Sequence, residues 1–208
     1  MLTLFLALAL QADPYRDLVE KGVAFPGKEA VAKAAASSEW HKKVIEILLD
    51  PALWATSLKT IHDRTGLKAE KLQIKVTFAR IQEAPAKGQG SHGCGAVELD
   101  LDKLAKYAKG ADEVNRLKAK GVVVVVPPAK TELVIPHEIA HCFQGVNQPL
   151  WFLEGMACYV GRDPNHILAF RAAGQKVQAV DSEVAHDWIY ARGWAFFEWL
   201  EAKHGTDA

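Results

Sequence analysis

Two histidines four residues apart, with a glutamate between them, form the run His137-Glu138-Ile139-Ala140-His141. On a helix their imidazoles project from one face about one turn apart, where they can share a tetrahedral zinc ion, and Glu138 then lies near the metal's open position. Zinc lowers the pKa of a bound water toward neutrality, and a neighbouring carboxylate can take that water's proton and pass it to a leaving amine. The spacing also arises by chance on solvated helix faces. Here Ile139, Ala140 and Phe143 make the helix apolar and so buried, where unpaired polar side chains are costly.

A catalytic zinc site needs a third protein ligand and an open fourth position. The next carboxylate on an apolar helix is Glu154, thirteen residues after His141 in Trp151-Phe152-Leu153-Glu154-Gly155-Met156-Ala157. A lone glutamate among such neighbours is expensive to bury without a cation, and Gly155 beside it lets another backbone come close. The competing reading makes Glu154 a surface residue at a helix end.

Together the two segments resemble the gluzincin zinc peptidases, and within them the small peptidase MA-like and minigluzincin domains. Those domains carry HExxH, a short loop, then Trp-x-x-Glu-Gly-x-Ala-x-Tyr, matched here by Trp151, Glu154, Gly155, Ala157 and Tyr159. The resemblance covers roughly Leu72 to the C-terminus. It implies one zinc per chain on His137, His141 and Glu154, Glu138 as general base, and a peptide or protein substrate. It also implies an α+β, zincin-like fold: a small mixed sheet packed on the active-site helix, with Ala96 to Leu101 as the edge strand to which a substrate peptide adds. The stretch Ile189 to Phe197 looks like a late helix of these domains whose tyrosine donates a hydrogen bond to the developing oxyanion. Tyr190 is the candidate and His186 the alternative, against a plain packing role for Tyr190. The thermolysin-like members place an outer-sphere Asp one turn after the glutamate ligand; this chain has Cys158, so what orients the histidines is open. Cys158 could compete for zinc, or bridge to Cys142.

The elements that must position these residues can be read from periodicity. Lys28 to Leu49 has apolar residues at helical spacing, as one or two helices ended by Pro51. Leu72 to Ala79 alternates apolar and polar as a half-buried strand. The Gly-rich stretch Gly88 to Gly95 precedes a short alternating run, Ala96 to Leu101, and Lys103 to Lys120 reads as a charged helix ended by Gly121. Val122 to Val126 suits a strand covered on both faces, stopped by Pro127 and Pro128. Helices follow after Pro136 through Gln144, from about Trp151 to Val160, and from about Ile189 to Lys203, closed by Gly145, Gly161 and Gly205 respectively.

The chain of 208 residues is 50% apolar and 24% charged, which points to one ordinary folded domain over 13–208. Lys plus Arg balances Asp plus Glu at 25 each, so nothing draws the chain electrostatically to nucleic acid or anionic membranes. Three cysteines allow at most one disulfide. The apolar run Leu2 to Leu10 is too short for a transmembrane helix and suits a signal-peptide core over 1–12, which predicts export to the periplasm or medium. It lacks a preceding Lys or Arg, and a cut after Ala12 would put Leu10 at the third position back, so a truncated or buried N-terminal helix is the alternative. His92 and Cys94 lack further ligands and read as a loop feature, while His41, His62, His166 and His204 have no ligand spacing. The leading expectation is a zinc metallopeptidase. Its rivals are a zinc-bound module without turnover, which would have no use for Glu138, and a metal-free α+β binding domain in which HExxH is coincidental.

Overall fold

Asp13, Ser38, Asp50 and Asp100 each accept a backbone N–H at the start of a helix, from Tyr15, His41, Ala52 and Lys103 respectively. Satisfying these otherwise orphaned donors sets where four helices begin. The computed structural model describes residues 13–36, 38–68, 71–82, 84–124, 130–145, 147–162, 167–168, 171 and 186–205. Among them are eight principal helices: α1 (Pro14–Gly22), α2 (Lys28–Ala35), α3 (Glu39–Leu48), α4 (Pro51–Thr65), α5 (Leu101–Ala119), α6 (Thr131–His141), α7 (Leu150–Gly161) and α8 (His186–His204). The strands are β1 (Val23–Ala24), β2 (Gln73–Phe78), β3 (Ala86–Ser91) and β4 (Cys94–Leu99). The signal-peptide expectation falls on residues outside this description, as does His166. No helix among the described residues is long and apolar enough to cross a membrane.

The fold is α+β, with a four-stranded mixed sheet ordered β1-β2-β4-β3. β2 runs parallel to both β1 and β4, and only β3 with β4 is antiparallel. Ile74 and Val76 of β2 are buried while Gln73 and Lys75 are exposed, as the alternation requires. Behind the sheet, Trp54, Leu48, Ile61, Leu104, Ile135 and Ile139 are fully buried in one apolar core. The Trp54 indole finds a buried acceptor in the Leu48 carbonyl at 2.7 Å. Pro51, expected only to end a helix, also opens α4, since its missing N–H costs nothing in a first turn.

The edge-strand expectation is corrected. Ala96 to Leu99 belongs to β4, paired on both sides, and Leu101 already starts α5. The sheet's edges are β1 and β3, and most of β3 lies in the Gly-rich stretch expected only to precede that run. Its glycines hide the strand signal for a packing reason: a Cβ on Gly88 would stand 2.2 Å from the Glu138 carbonyl oxygen of α6. The bare backbone lets β3 lie directly on α6. The β3–β4 turn at His92-Gly93 is tied to the end of α6 by the Gly93 N–H donating to the Cys142 carbonyl at 2.9 Å. Gly88→Ala is therefore expected to lower stability by about 1–3 kcal/mol, because backbone rather than a pliable side chain blocks the new methyl. Chemical denaturation of the two proteins measures it.

A second correction concerns Val122 to Val126. Val122, Val123 and Val124 form no strand, and Val123 is 86% exposed; Val125 and Val126 lie outside the described residues. β-branched residues make a strand only where a neighbouring strand offers its ladder. Here the chain is still completing the end of α5: Gly121 is left-handed at φ 83°, its N–H bonds the Lys118 carbonyl, and the Val122 N–H bonds the Leu117 carbonyl.

Candidate metal centre

α6 begins at Thr131, six residues earlier than its proline suggested, and Pro136 sits inside it. A proline there removes one intrahelical hydrogen bond, which burial of Val134, Ile135, Ile139 and Ala140 against the core outweighs. The apolar side of α6 fixes its rotation and turns His137 and His141 toward α7, on which it packs. α7 in turn presents Glu154. Gly161 is the last residue of α7 rather than its stop, and Arg162 takes the left-handed capping position.

The three side chains meet. His137 Nε2 and His141 Nε2 are 3.2 Å apart, and Glu154 Oε2 lies 3.3 Å from the first and 3.5 Å from the second. All three are largely buried, with side-chain exposures of 12%, 12% and 18%. A tetrahedral zinc with ligands at about 2.0–2.1 Å has ligand-to-ligand edges of about 3.3–3.4 Å. The observed triangle has those dimensions, so these residues fit the ion. Glu138 has a carboxylate oxygen within 4.8 Å of both imidazoles, so it too stands close enough to the histidines to face an ion held by them. Its side chain is buried, and the Gly88 N–H of the edge strand hydrogen-bonds its carboxylate.

Burial favours the neutral form of every acid here, and charge decides which ones resist. Burial raises the Glu138 carboxyl, the two imidazoles pull it back only in part, and Glu154 adds to the rise. Burial acts the same way on Glu154, yet the two imidazoles beside it outweigh that and hold Glu154 well below the usual carboxylate range. His137 is disfavoured as a cation by burial, but Cys158, Glu154 and Glu138 together raise it well above an ordinary histidine. One carboxylate is thus held as an anion between the imidazoles while the other has its proton affinity raised.

Tyr190 of α8 joins this group. Its ring centroid is 6.2 Å from that of His137, and its hydroxyl hydrogen-bonds Glu154; burial first, then the nearby Glu154 and Cys158, keep the phenol firmly protonated and able to donate. The approach depends on a crossing of bare backbones. A Cβ on Gly155 would stand 2.1 Å from the Gly193 Cα, and one on Gly193 would stand 2.2 Å from the Trp151 carbonyl oxygen. Gly193 escaped the sequence reading, although a glycine in mid-helix is a signal for such a contact. His186 begins α8, and its side chain lies outside the description.

All three cysteines are thiols, so the option of a bridge between Cys142 and Cys158 is not taken up. Cys142 points at the carbonyls of Gln89, Ala96 and Glu138, and burial pushes its thiol up to about 12. Cys158 Sγ lies 3.5 Å from His137 Nδ1, the ring nitrogen remote from the donor triangle. His92 forms the β3–β4 turn, His41 bridges Ser38 and Asp102, His62 bonds the Tyr15 hydroxyl, and His204 packs on Trp199. Comparison with known proteins returned no matching family model, no matching curated sequence and no matching solved structure.

Proposed function

We propose that the chain is a zinc-dependent peptidase of zincin-like architecture, with His137, His141 and Glu154 as ligands of one zinc ion and Glu138 as general base. The observation that carries this reading is the triangle of donor atoms with sides of 3.2, 3.3 and 3.5 Å. Three converging buried donors would leave a four-coordinate ion one position for chemistry. When bound, zinc would supply Lewis acidity, polarising a scissile carbonyl and making a water molecule more acidic.

The chain's own groups then divide the hydrolysis. Glu138, its proton affinity raised by burial, takes one proton from water as the oxygen adds to the carbonyl carbon. It passes that proton to the departing nitrogen as the C–N bond breaks, leaving a carboxylic acid and an amine. Tyr190 keeps its proton and donates a hydrogen bond to the oxygen that gains negative charge. β3 pairs with β4 on one side, and its Gly88 N–H meets Glu138, so a peptide extended along β3 would pass beside the base.

The test is cleavage of an unfolded protein substrate by the purified chain, after chelation and after return of zinc. Cleavage lost on chelation and restored by one equivalent of zinc is expected. Zinc bound at one per chain without cleavage of any unfolded substrate would favour a non-catalytic zinc module; no zinc binding would overturn the reading.

A further inference from the structure

We infer that Gln144 is a positioning residue for the metal centre, selecting the tautomer and ring orientation of His141. Gln144 is 6% exposed, one of the few buried polar side chains among the described residues. Both ends of its amide are committed. The nitrogen donates to the Leu153 carbonyl oxygen of α7 at 2.7 Å, and the oxygen stands 2.7 Å from His141 Nδ1. Chemistry removes the ambiguity of the amide, because a carbonyl oxygen can only accept and must face the NH2 group. The amide oxygen therefore faces Nδ1, which must carry the hydrogen. That leaves the Nε2 lone pair directed at His137 Nε2 and Glu154, where a metal ligand must have it.

The same amide spans the two ligand-bearing helices. Gln144 sits in the turn just after α6, three residues beyond His141, and its anchor Leu153 is the neighbour of Glu154 on α7. One side chain thus fixes the orientation of one ligand and its spacing from the turn of α7 that bears another. In zinc sites this outer role usually falls to a carboxylate, a backbone carbonyl or water. Here a neutral amide fills it for His141 and Cys158 stands in the corresponding place for His137.

The inference rests on the zinc reading of the site, and the test separates the two. Zinc affinity is measured by competition with a chromophoric chelator for wild type, Gln144→Met and Gln144→Glu, with the thermal midpoint of each metal-free protein recorded alongside. Gln144→Met keeps the length and removes the acceptor; it is expected to weaken zinc about 10–100-fold. Gln144→Glu keeps an oxygen for the Nδ1 hydrogen and is expected to recover most of that loss. Affinity of Gln144→Met within twofold of wild type would overturn the positioning role, as would equal losses in the two variants, which would mark a packing role alone. A wild type that binds no zinc would overturn the zinc reading and this inference together. Nitrogen NMR of the His141 ring in metal-free wild type, at a pH above imidazole titration, needs no variant. The Nδ1–H tautomer is expected, and a predominant Nε2–H tautomer would overturn the inference even if Gln144→Met failed to fold.

Discussion

Glu138→Gln is expected to lower the turnover of a peptide substrate by on the order of a thousandfold while leaving one zinc per chain. A general base contributes about 10²–10⁴-fold to such a reaction, and a thousandfold corresponds to about 4 kcal/mol of barrier. Glutamine preserves the shape and burial of Glu138 and can still accept the Gly88 N–H, so the edge strand keeps its place on α6. What disappears is the negative charge of Glu138 and with it the capacity to take a proton. The donor triangle of His137, His141 and Glu154 does not include Glu138, so elemental analysis should find the metal unchanged. Steady-state kinetics on a single quenched peptide, run beside that analysis, gives both readouts. Turnover retained within tenfold would move the proton transfer away from Glu138.

Glu154→Ala is expected to do the reverse, removing the metal first and the activity as a consequence. Structural zinc sites bind with about 10–16 kcal/mol spread over four ligands, so losing one of three protein donors should weaken zinc on the order of a hundred- to thousandfold. In the metal-free protein Glu154 also answers the two imidazoles, and His137 owes part of its raised proton affinity to it. The variant leaves two facing histidines 3.2 Å apart without their anion. Chelator competition on purified variant and wild type measures the loss. Zinc affinity unchanged by this substitution would exclude Glu154 from the ligand set.

The centre was more legible in the sequence than the sheet that frames it. His137, His141 and Glu154 could be picked out because polar side chains in apolar helical stretches are anomalous, and the anomaly survives without knowing the fold. The edge strand was not legible, because Gly88 and Gly90 erase the alternation that marks a strand: a Cβ on Gly88 would meet Glu138, 50 residues further on, and one on Gly90 would meet the Cys94 carbonyl of the paired strand. The valine run misled in the opposite sense: its composition promised a strand, but among the described residues no ladder partner meets Val122 to Val124. Pro51 and Pro136 were read as boundaries by a local rule; one opens a helix and the other sits inside one, each permitted by context. Gln144 could have been suspected from its place one turn beyond His141, yet nothing local distinguishes a buried amide from a solvated one.

The donor triangle has a bearing on how the chain acquires its structure. Its corners span residues 137 to 154 on two helices joined by a short connection, so the loop closed between them is small and its entropy cost modest. Tyr190 must instead return from 36 residues beyond Glu154 and dock through the Gly155–Gly193 crossing. Contacts local in sequence form faster than distant ones. The α6–α7 hairpin can therefore bring its three donors together before α8 has docked, and the donor triangle and Tyr190 belong to separate stages of assembly.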